Sequence, residues 1–241
     1  MKVTLREHVD GLVRGEPDRP IVAFFDLDRT LMEGYSLTAL AWQQLFNGSM
    51  SLKSLITLGW MFIEYGLGRI TYGDMLQATV NDIKGMTEEE LSALGRQAFA
   101  ERLAGWMYQE GADLIEGHKA QGHQVVLVTS ATRYQAEPVA ELLGITQIRC
   151  TELEIVDGRV AGGVEPCYGE GKLVAASDYA REVSADLTDA YFYSDSADDL
   201  PLLEKVGKPV VVNGKSKLVA VGDGRGWPSL TFSRTGHFSA A

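Results

Sequence analysis

The chain has 241 residues, 45% of them hydrophobic and 23% charged, the profile of an ordinary soluble globular protein with one large domain or two small ones. Its 33 Asp plus Glu against 22 Lys plus Arg give a formal net charge of −11, which argues against a general attraction to nucleic acid or to an anionic membrane. An anionic substrate therefore needs local positive charge.

Only Cys150 and Cys167 are present, without a CxxC or a Cys/His cluster, so neither a disulfide framework nor a zinc site is indicated and a reducing cytoplasm fits best. The first twenty residues, "MKVTLREHVDGLVRGEPDRP", lack the uninterrupted apolar run of a signal peptide and read as a surface lead-in closed by Pro17 and Pro20. From Ile21 to Phe25 the chain reads as a buried strand, and the fold is expected to begin there.

From Ser36 to about Gln109 no comparable β-rich run occurs. Helices are predicted at Leu37 to Phe46, Leu52 to Tyr65, Tyr72 to Ile83 and Thr87 to Leu103, with breaks at Gly48, Gly66, Gly68 and Gly85. "MTEEEL" opens the last with a capping-box pattern, Thr87 as cap and Glu90 three residues on. The Met and Trp residues here read as core, and the most apolar stretch, Leu55 to Ile63, is nine residues long and too short to cross a bilayer. This is an inserted helical layer.

After Glu110 helix and strand alternate. A helix from Ala112 to Gln121 leads to the strand "QVVLVTS"; a helix from Gln135 to Leu143 stops at Gly144; short strands follow near Ile148 to Leu153, and "EIVDGRVAG" reads as a hairpin turning at Asp157 and Gly158. A helix near Lys172 to Val183, the strand "AYFYS", a helix from Leu200 to Val206 and the strand "PVVVN" complete the series, and "SRTGHFSAA" reads as a loosely held tail. Such alternation implies an α/β fold, a Rossmann-like parallel sheet with helices on both faces. His8, His118, His123 and His237 have no ligand spacing and read as surface residues.

In an open parallel sheet, ligands bind beyond the carboxyl ends of the strands. Past the first strand lie Asp26, Asp28 and Thr30; past "VVLV" lie Thr129 and Ser130; past "AYFYS" lie Asp195, Asp198 and Asp199. Alternation along extended chain points Asp26 and Asp28 to the same side. Gathering these carboxylates with Asp195 concentrates negative charge that calls for a cation, and Mg²⁺, held by one or two carboxylates with water and phosphate, answers that need. Lys172, in "GEGK" before a helix, is the candidate second cation. A divalent cation, a lysine and hydroxyl donors around a reactive carboxylate suit phosphoryl transfer, with Asp26 as nucleophile and Asp28 as acid and base. Arg29 and Arg133, beside motif residues, are candidates for contacting substrate or simply a neighbouring carboxylate, and Glu33 and Tyr35, beyond the first motif, for touching substrate.

"DLDRT", a hydroxyl residue after an apolar strand, the later lysine and "SDSADDLPLL" resemble, in order, the four motifs of the haloacid dehalogenase superfamily of phosphatases, and the insertion after the first motif resembles that superfamily's helical C1 cap. "CYGEGK", "YSDSADDLPLLEKVGKPVVVN" and "GW" at Gly226 and Trp227 resemble its subfamily IB, which contains phosphoserine phosphatase. The resemblance covers about residues 21 to 230. It implies a core of residues 1–35 and 110–241 and a cap of residues 36–109. It further implies Asp26 as nucleophile and metal ligand, Asp28 as acid/base also offering its backbone carbonyl to Mg²⁺, and Asp195 and Asp199 as metal-site acids. It implies Thr129 (with Ser130 as a substitute) and Lys172 as phosphate contacts; Thr30, Asp198, Glu33, Tyr35 and Arg133 are further candidates for touching phosphate or substrate. Asp198 stands where phosphoserine phosphatases usually have asparagine. Tyr35 stands where they have a glutamate that holds the substrate ammonium.

The expected protein is a cytoplasmic, Mg²⁺-dependent phosphomonoester hydrolase. It acts on a small phosphorylated substrate through an aspartyl-phosphate, without nucleic acid or stable membrane association. Phosphoserine, histidinol phosphate, sugar phosphates and lipid phosphates are open as substrates, and a phospho-ligand-binding sensor is the non-enzymatic alternative.

Overall fold

A computed structural model describes residues 1–16, 19–48, 51–236 and 238, apart from the side chain of Phe62. Helix α1 (Leu5–Asp10) precedes strand β1 (Val22–Phe25), and four helices follow: α2 (Ser36–Phe46), α3 (Leu52–Gly66), α4 (Tyr72–Asp82) and α5 (Glu88–Ala98). A wide π-helical turn (Phe99–Leu103) and the single turn α6 (Ala104–Trp106) lead into α7 (Gln109–Ala120). The series continues with β2 (Gln124–Thr132), α8 (Arg133–Leu143), β3 (Gln147–Val156), β4 (Arg159–Glu165), α9 (Glu170–Glu182) and β5 (Tyr191–Ser194). It closes with α10 (Leu200–Leu203), β6 (Lys208–Val212), α11 (Ser216–Arg225) and β7 (Ser229–Leu230).

The strands form one seven-stranded sheet in the order β4-β3-β2-β1-β5-β6-β7. All neighbours are parallel except β3 and β4, the hairpin turning at Asp157 and Gly158, both at positive φ as such a tight turn requires. Since β1 lies between β2 and β5, the strand order reverses at its carboxyl end. Alternate side chains supply two cores. Phe25, Leu127 and Tyr193 join Ile115 of α7 and Val139 of α8 on one face, and Phe24, Val126 and Phe192 join Tyr179 of α9 and Leu218 of α11 on the other.

The helical layer is seated on this frame by α4 and α5. Leu76, Val80 and Ile83 pack with Tyr134 of α8 and Val160 of β4. At Gly95 of α5 an added Cβ would come within 1.9 Å of the Tyr134 carbonyl oxygen, so the close approach of α5 to α8 requires glycine. Capping boxes open α4 at Thr71 and Asp74 and α5 at Thr87 and Glu90, the second as its sequence predicts. Outward, α3 exposes Leu52, Ile56, Trp60 and Ile63.

Four readings are corrected. Trp42 and Trp60, expected in the core, are exposed. The N-terminal segment is more than a lead-in: a Thr4–Glu7 capping box forms α1, Leu12 is buried in the main core, and the Val3 amide donates to the Ser229 carbonyl at 3.1 Å (Pro17 lies outside the described residues). The start of the tail is tied down, since the Ser233 and Arg234 amides donate to Glu110 and the Gly236 amide to Met107, while residues 237 and 239–241 lie outside the described residues. His118 and His123 are buried and His8 is half-buried, linked through Tyr193 on the face of the sheet that carries α7; His237 lies outside the described residues.

The protons of that linkage follow from its acceptors. His123 Nε2 faces the Val13 carbonyl at 2.6 Å and donates, so in a neutral ring its Nδ1 accepts from His118 Nδ1 at 2.7 Å. His118 Nε2 then accepts from the Tyr193 hydroxyl at 2.7 Å, which itself accepts from His8 Nε2 at 2.8 Å. Every group is satisfied without a charge.

Candidate active site

The end of β1 delivers Asp26 and Asp28 to the point where the strand order reverses, the place in such sheets where ligands bind. Asp26 is buried; its amide donates to the Tyr193 carbonyl at 3.0 Å, and Thr30 Oγ1 donates to its Oδ2 at 3.3 Å. Lys172, in the first turn of α9, donates to Asp26 Oδ1 at 2.6 Å and to Asp199 Oδ2 at 2.9 Å. Ser194 Oγ holds the same Asp199 oxygen at 2.6 Å, so Asp199 anchors the lysine. The helix carrying Lys172 is pulled close by Gly171, where a Cβ would come within 2.3 Å of the Pro166 carbonyl oxygen.

Asp28 turns toward the helical layer. Its Oδ1 accepts from the Ser36 amide at 2.7 Å and its Oδ2 from Ser36 Oγ at 3.3 Å, and Gln135 in turn donates to that hydroxyl at 3.0 Å. Desolvation pushes the Asp28 carboxyl up to about 6 against the pull of these bonds. Asp195 is paired on one oxygen, Oδ2, with Arg29 Nε at 3.0 Å and Lys215 Nζ at 3.4 Å. Arg29 holds this pose from a left-handed backbone, φ 63°, a costly conformation for a side chain of its size.

Burial raises the Asp26 pKa first; Lys172 opposes the shift while Asp199 and Asp195 add to it. Burial also works against the charge on Lys172, but Asp199 and Asp26 overcome it and hold the lysine pKa above its ordinary value. Four carboxylates (Asp26, Asp28, Asp195, Asp199) thus face three cations (Lys172, Arg29, Lys215), and the cluster is short of positive charge.

Over this floor lies a cavity of about 660 Å³, roofed by α2 to α5 and bordered by Asp26, Asp28, Tyr35, Ser130, Asp198 and Lys172 among others. At its edge Tyr65 donates to Asp198 Oδ2 at 2.9 Å and meets the Tyr168 hydroxyl at 2.5 Å, while Tyr72 stacks on Tyr168 and donates to the Ser130 carbonyl at 3.0 Å.

The model of the haloacid dehalogenase-like hydrolases matches residues 23–204. The chain belongs to that family. It is 32% identical to a probable phosphatase of Mycobacterium tuberculosis over 222 residues, 90% of this chain and 77% of the relative. It is 30% identical to a histidinol-phosphatase of Neisseria meningitidis, covering 88% of this chain and 98% of the relative. Among solved structures, a Bordetella pertussis protein of unknown function superposes with a TM-score of 0.82 at 27% identity, covering 88% of this chain and 98% of that one. A phosphoserine phosphatase captured as a phospho-aspartyl intermediate analogue shares the fold, with a TM-score of 0.66 at 18% identity over 90% of this chain and 95% of that one. The protein is a phosphoric monoester hydrolase of this family.

In this hydrolase the sequence candidates separate. Asp26, Asp28, Thr30, Lys172, Asp195 and Asp199 come together at the strand ends, and Tyr35, Ser130 and Asp198 border the cavity. Thr129 is fully buried beside them and accepts from the Ala131 amide at 3.1 Å. Arg133 is not at the site: its guanidinium pairs with Glu152 of β3 at 2.9 and 3.1 Å, away from the cavity. Glu33 is exposed and does not border the cavity; its backbone amide donates to Trp106 at 2.8 Å. Reading the sequence missed Ser36, Lys215, Tyr65, Tyr72 and Tyr168. For Lys215 a signal existed, since it stands just past the predicted strand "PVVVN", whose carboxyl end falls on the same side of a parallel sheet.

Among the described residues, no three His, Cys, Asp or Glu side chains close into a ready-made metal site. Asp28 spends both carboxylate oxygens on Ser36, whereas Asp195 and Asp199 are each held through Oδ2, and Asp26 meets Lys172 and Thr30. Asp26, Asp195 and Asp199 therefore remain as hard oxygen donors in a cluster that lacks positive charge. That donor set fits Mg²⁺, which takes one or two carboxylates and completes its shell with water and phosphate; phosphatases of this family generally use it.

Proposed function

We propose that Asp26 is the nucleophile of a Mg²⁺-dependent hydrolysis of phosphomonoesters, carried by one observation: a buried lysine bridges Asp26 to Asp199 at the floor of a large cavity. Asp26 attacks phosphorus, the bond to the ester oxygen breaks, and Asp28 gives its proton to the departing alkoxide. Water then attacks the aspartyl-phosphate, Asp28 takes the proton, and phosphate leaves with Asp26 restored.

Lys172 neutralises charge on the transferring oxygens, and the Thr129 and Ser130 segment offers them donors. Asp26, Asp195 and the Asp28 backbone carbonyl would hold the metal, which supplies charge stabilisation to the phosphoryl oxygens when bound. Asp199 acts by fixing Lys172. We further propose residues 36–109 as a cap over a core of residues 1–35 and 110–241, working in the cytoplasm on a small phosphorylated metabolite.

The test is phosphate release from p-nitrophenyl phosphate with Mg²⁺. The wild type is expected to turn over, and Asp26→Asn to lose at least about 10⁴-fold with an unchanged circular dichroism spectrum. Undiminished activity of Asp26→Asn overturns the mechanism. No turnover of any ester by the wild type, with a phosphate-induced thermal shift, makes the protein a binder instead.

A further inference from the structure

We propose that the leaving group this site accepts carries an apolar chain or ring, and that zwitterionic amino-acid phosphates are poor substrates. The proposal rests on the phosphatase reading above and adds the substrate class.

The first support is size. A cavity of about 660 Å³ falls within the range of sites that enclose whole drug-sized ligands. At about 30 Å³ per water it corresponds to roughly twenty waters, so a phosphate on a three-carbon body leaves most of it wet.

The second is the wall. Leu40 of α2, Leu58 of α3, Met75 and Leu76 of α4, Leu91 of α5 and Ile70 between α3 and α4 all border the cavity. Away from the strand ends, the charged side chains that border it among the described residues are Asp82 and Lys217, both exposed to solvent. The hydroxyls of Tyr65, Tyr72 and Tyr168 are already engaged, Tyr72 by the Ser130 carbonyl and Tyr65 by Tyr168 and Asp198. Their rings extend the apolar lining. Such a wall is unfavourable against water and favourable against hydrocarbon.

The third is charge. Lys215 Nζ lies 5.6 Å from the centroid of the Tyr35 ring and 3.4 Å from Asp195. The acid beside Tyr35, Asp195, is thus already paired with Lys215 and with Arg29, so a substrate ammonium placed there finds that carboxylate taken. A neutral apolar body needs no such partner.

The experiment measures kcat/KM with Mg²⁺ for n-alkyl phosphates from methyl to decyl, below their micelle concentrations, alongside phosphoserine. Each added methylene is expected to raise kcat/KM about fourfold, the rate equivalent of burying one CH₂, until the chain fills the cavity. Phosphoserine should fall below butyl phosphate. Leu58→Arg, at a half-buried position of α3, should flatten the series, reducing the octyl-to-methyl ratio at least tenfold. Binding gives a second readout: alkylphosphonates should shift the melting temperature of Asp26→Asn protein more as the chain lengthens.

A flat series, or phosphoserine exceeding the long-chain esters, overturns the substrate class while leaving the phosphatase reading intact. No turnover of any ester overturns the phosphatase reading and this inference together.

Discussion

Two buried polar clusters sit close to β5, and they solve the same problem in opposite ways. The histidine cluster closes on itself: His8, Tyr193, His118, His123 and the Val13 carbonyl form one chain in which each donor has an acceptor and no group carries charge. The strand-end cluster stays ionic, with four carboxylates against three cations and a cavity alongside. A polar network that only supports the fold can be neutral and sealed. A surplus of one sign, left open on one side, is what a site needs when its partner brings the missing charge.

Breaking the ionic cluster should have the larger consequences. Lys172→Met leaves Asp26 and Asp199 buried and facing each other without a counter-ion. It should cost about 3–5 kcal/mol in urea unfolding, and activity should fall by roughly 10²–10³-fold, the scale of a removed electrostatic stabiliser. Unaltered stability would show that the two carboxylates do not depend on the lysine.

The neutral cluster should respond to acid. Burial, then repulsion from His123, His8 and Lys208, lowers the His118 pKa to about 2. The unfolded chain takes up a proton near pH 6.5 that the folded chain refuses, so this histidine's contribution to stability is intact above that pH and is lost as pH falls below it. By pH 5 the loss is roughly 2 kcal/mol. Asp26 and Asp28, whose pKa values are raised, run the other way and strengthen the fold as pH falls. A difference measurement removes them. Relative to its deficit at pH 7.5, His118→Gln should recover roughly 2 kcal/mol against the wild type by pH 5; a pH-independent difference would mean that the ring already carries charge.

The smallest effect is expected outside both clusters. Arg96 of α5 and Glu141 of α8 form a bidentate pair at 2.8 and 2.9 Å, but both side chains are more than half exposed. Arg96→Ala should change stability by less than about 1 kcal/mol. A larger loss would mean that this pair, rather than Gly95 and the apolar contacts, seats the helical layer.

The ionic cluster was legible in the sequence because its groups are ordered by the sheet. Asp26 and Asp28 are two residues apart on one strand end, and the ends of β2 and β5 are delivered to the same point by parallel topology. The histidine cluster was not legible, because residues 8, 118, 123 and 193 meet only after α1 and α7 pack on one face of the sheet. Arg133 misled for a related reason. It follows the hydroxyl segment directly, but its side chain reaches sideways to Glu152 on β3, which no reading of its own segment reveals. The cover was readable as helices, while the tyrosine contacts among Tyr65, Tyr72 and Tyr168 join segments about a hundred residues apart and carry no local pattern.

The central claim, that Asp26 carries the phosphoryl group, is tested most directly by acid-quenching the enzyme during turnover of a ³²P-labelled ester and sequencing the labelled peptide. Label is expected on the peptide holding residues 21–31, at Asp26, and none in Asp26→Asn. Steady turnover with no labelled peptide, or label at another residue, would contradict it.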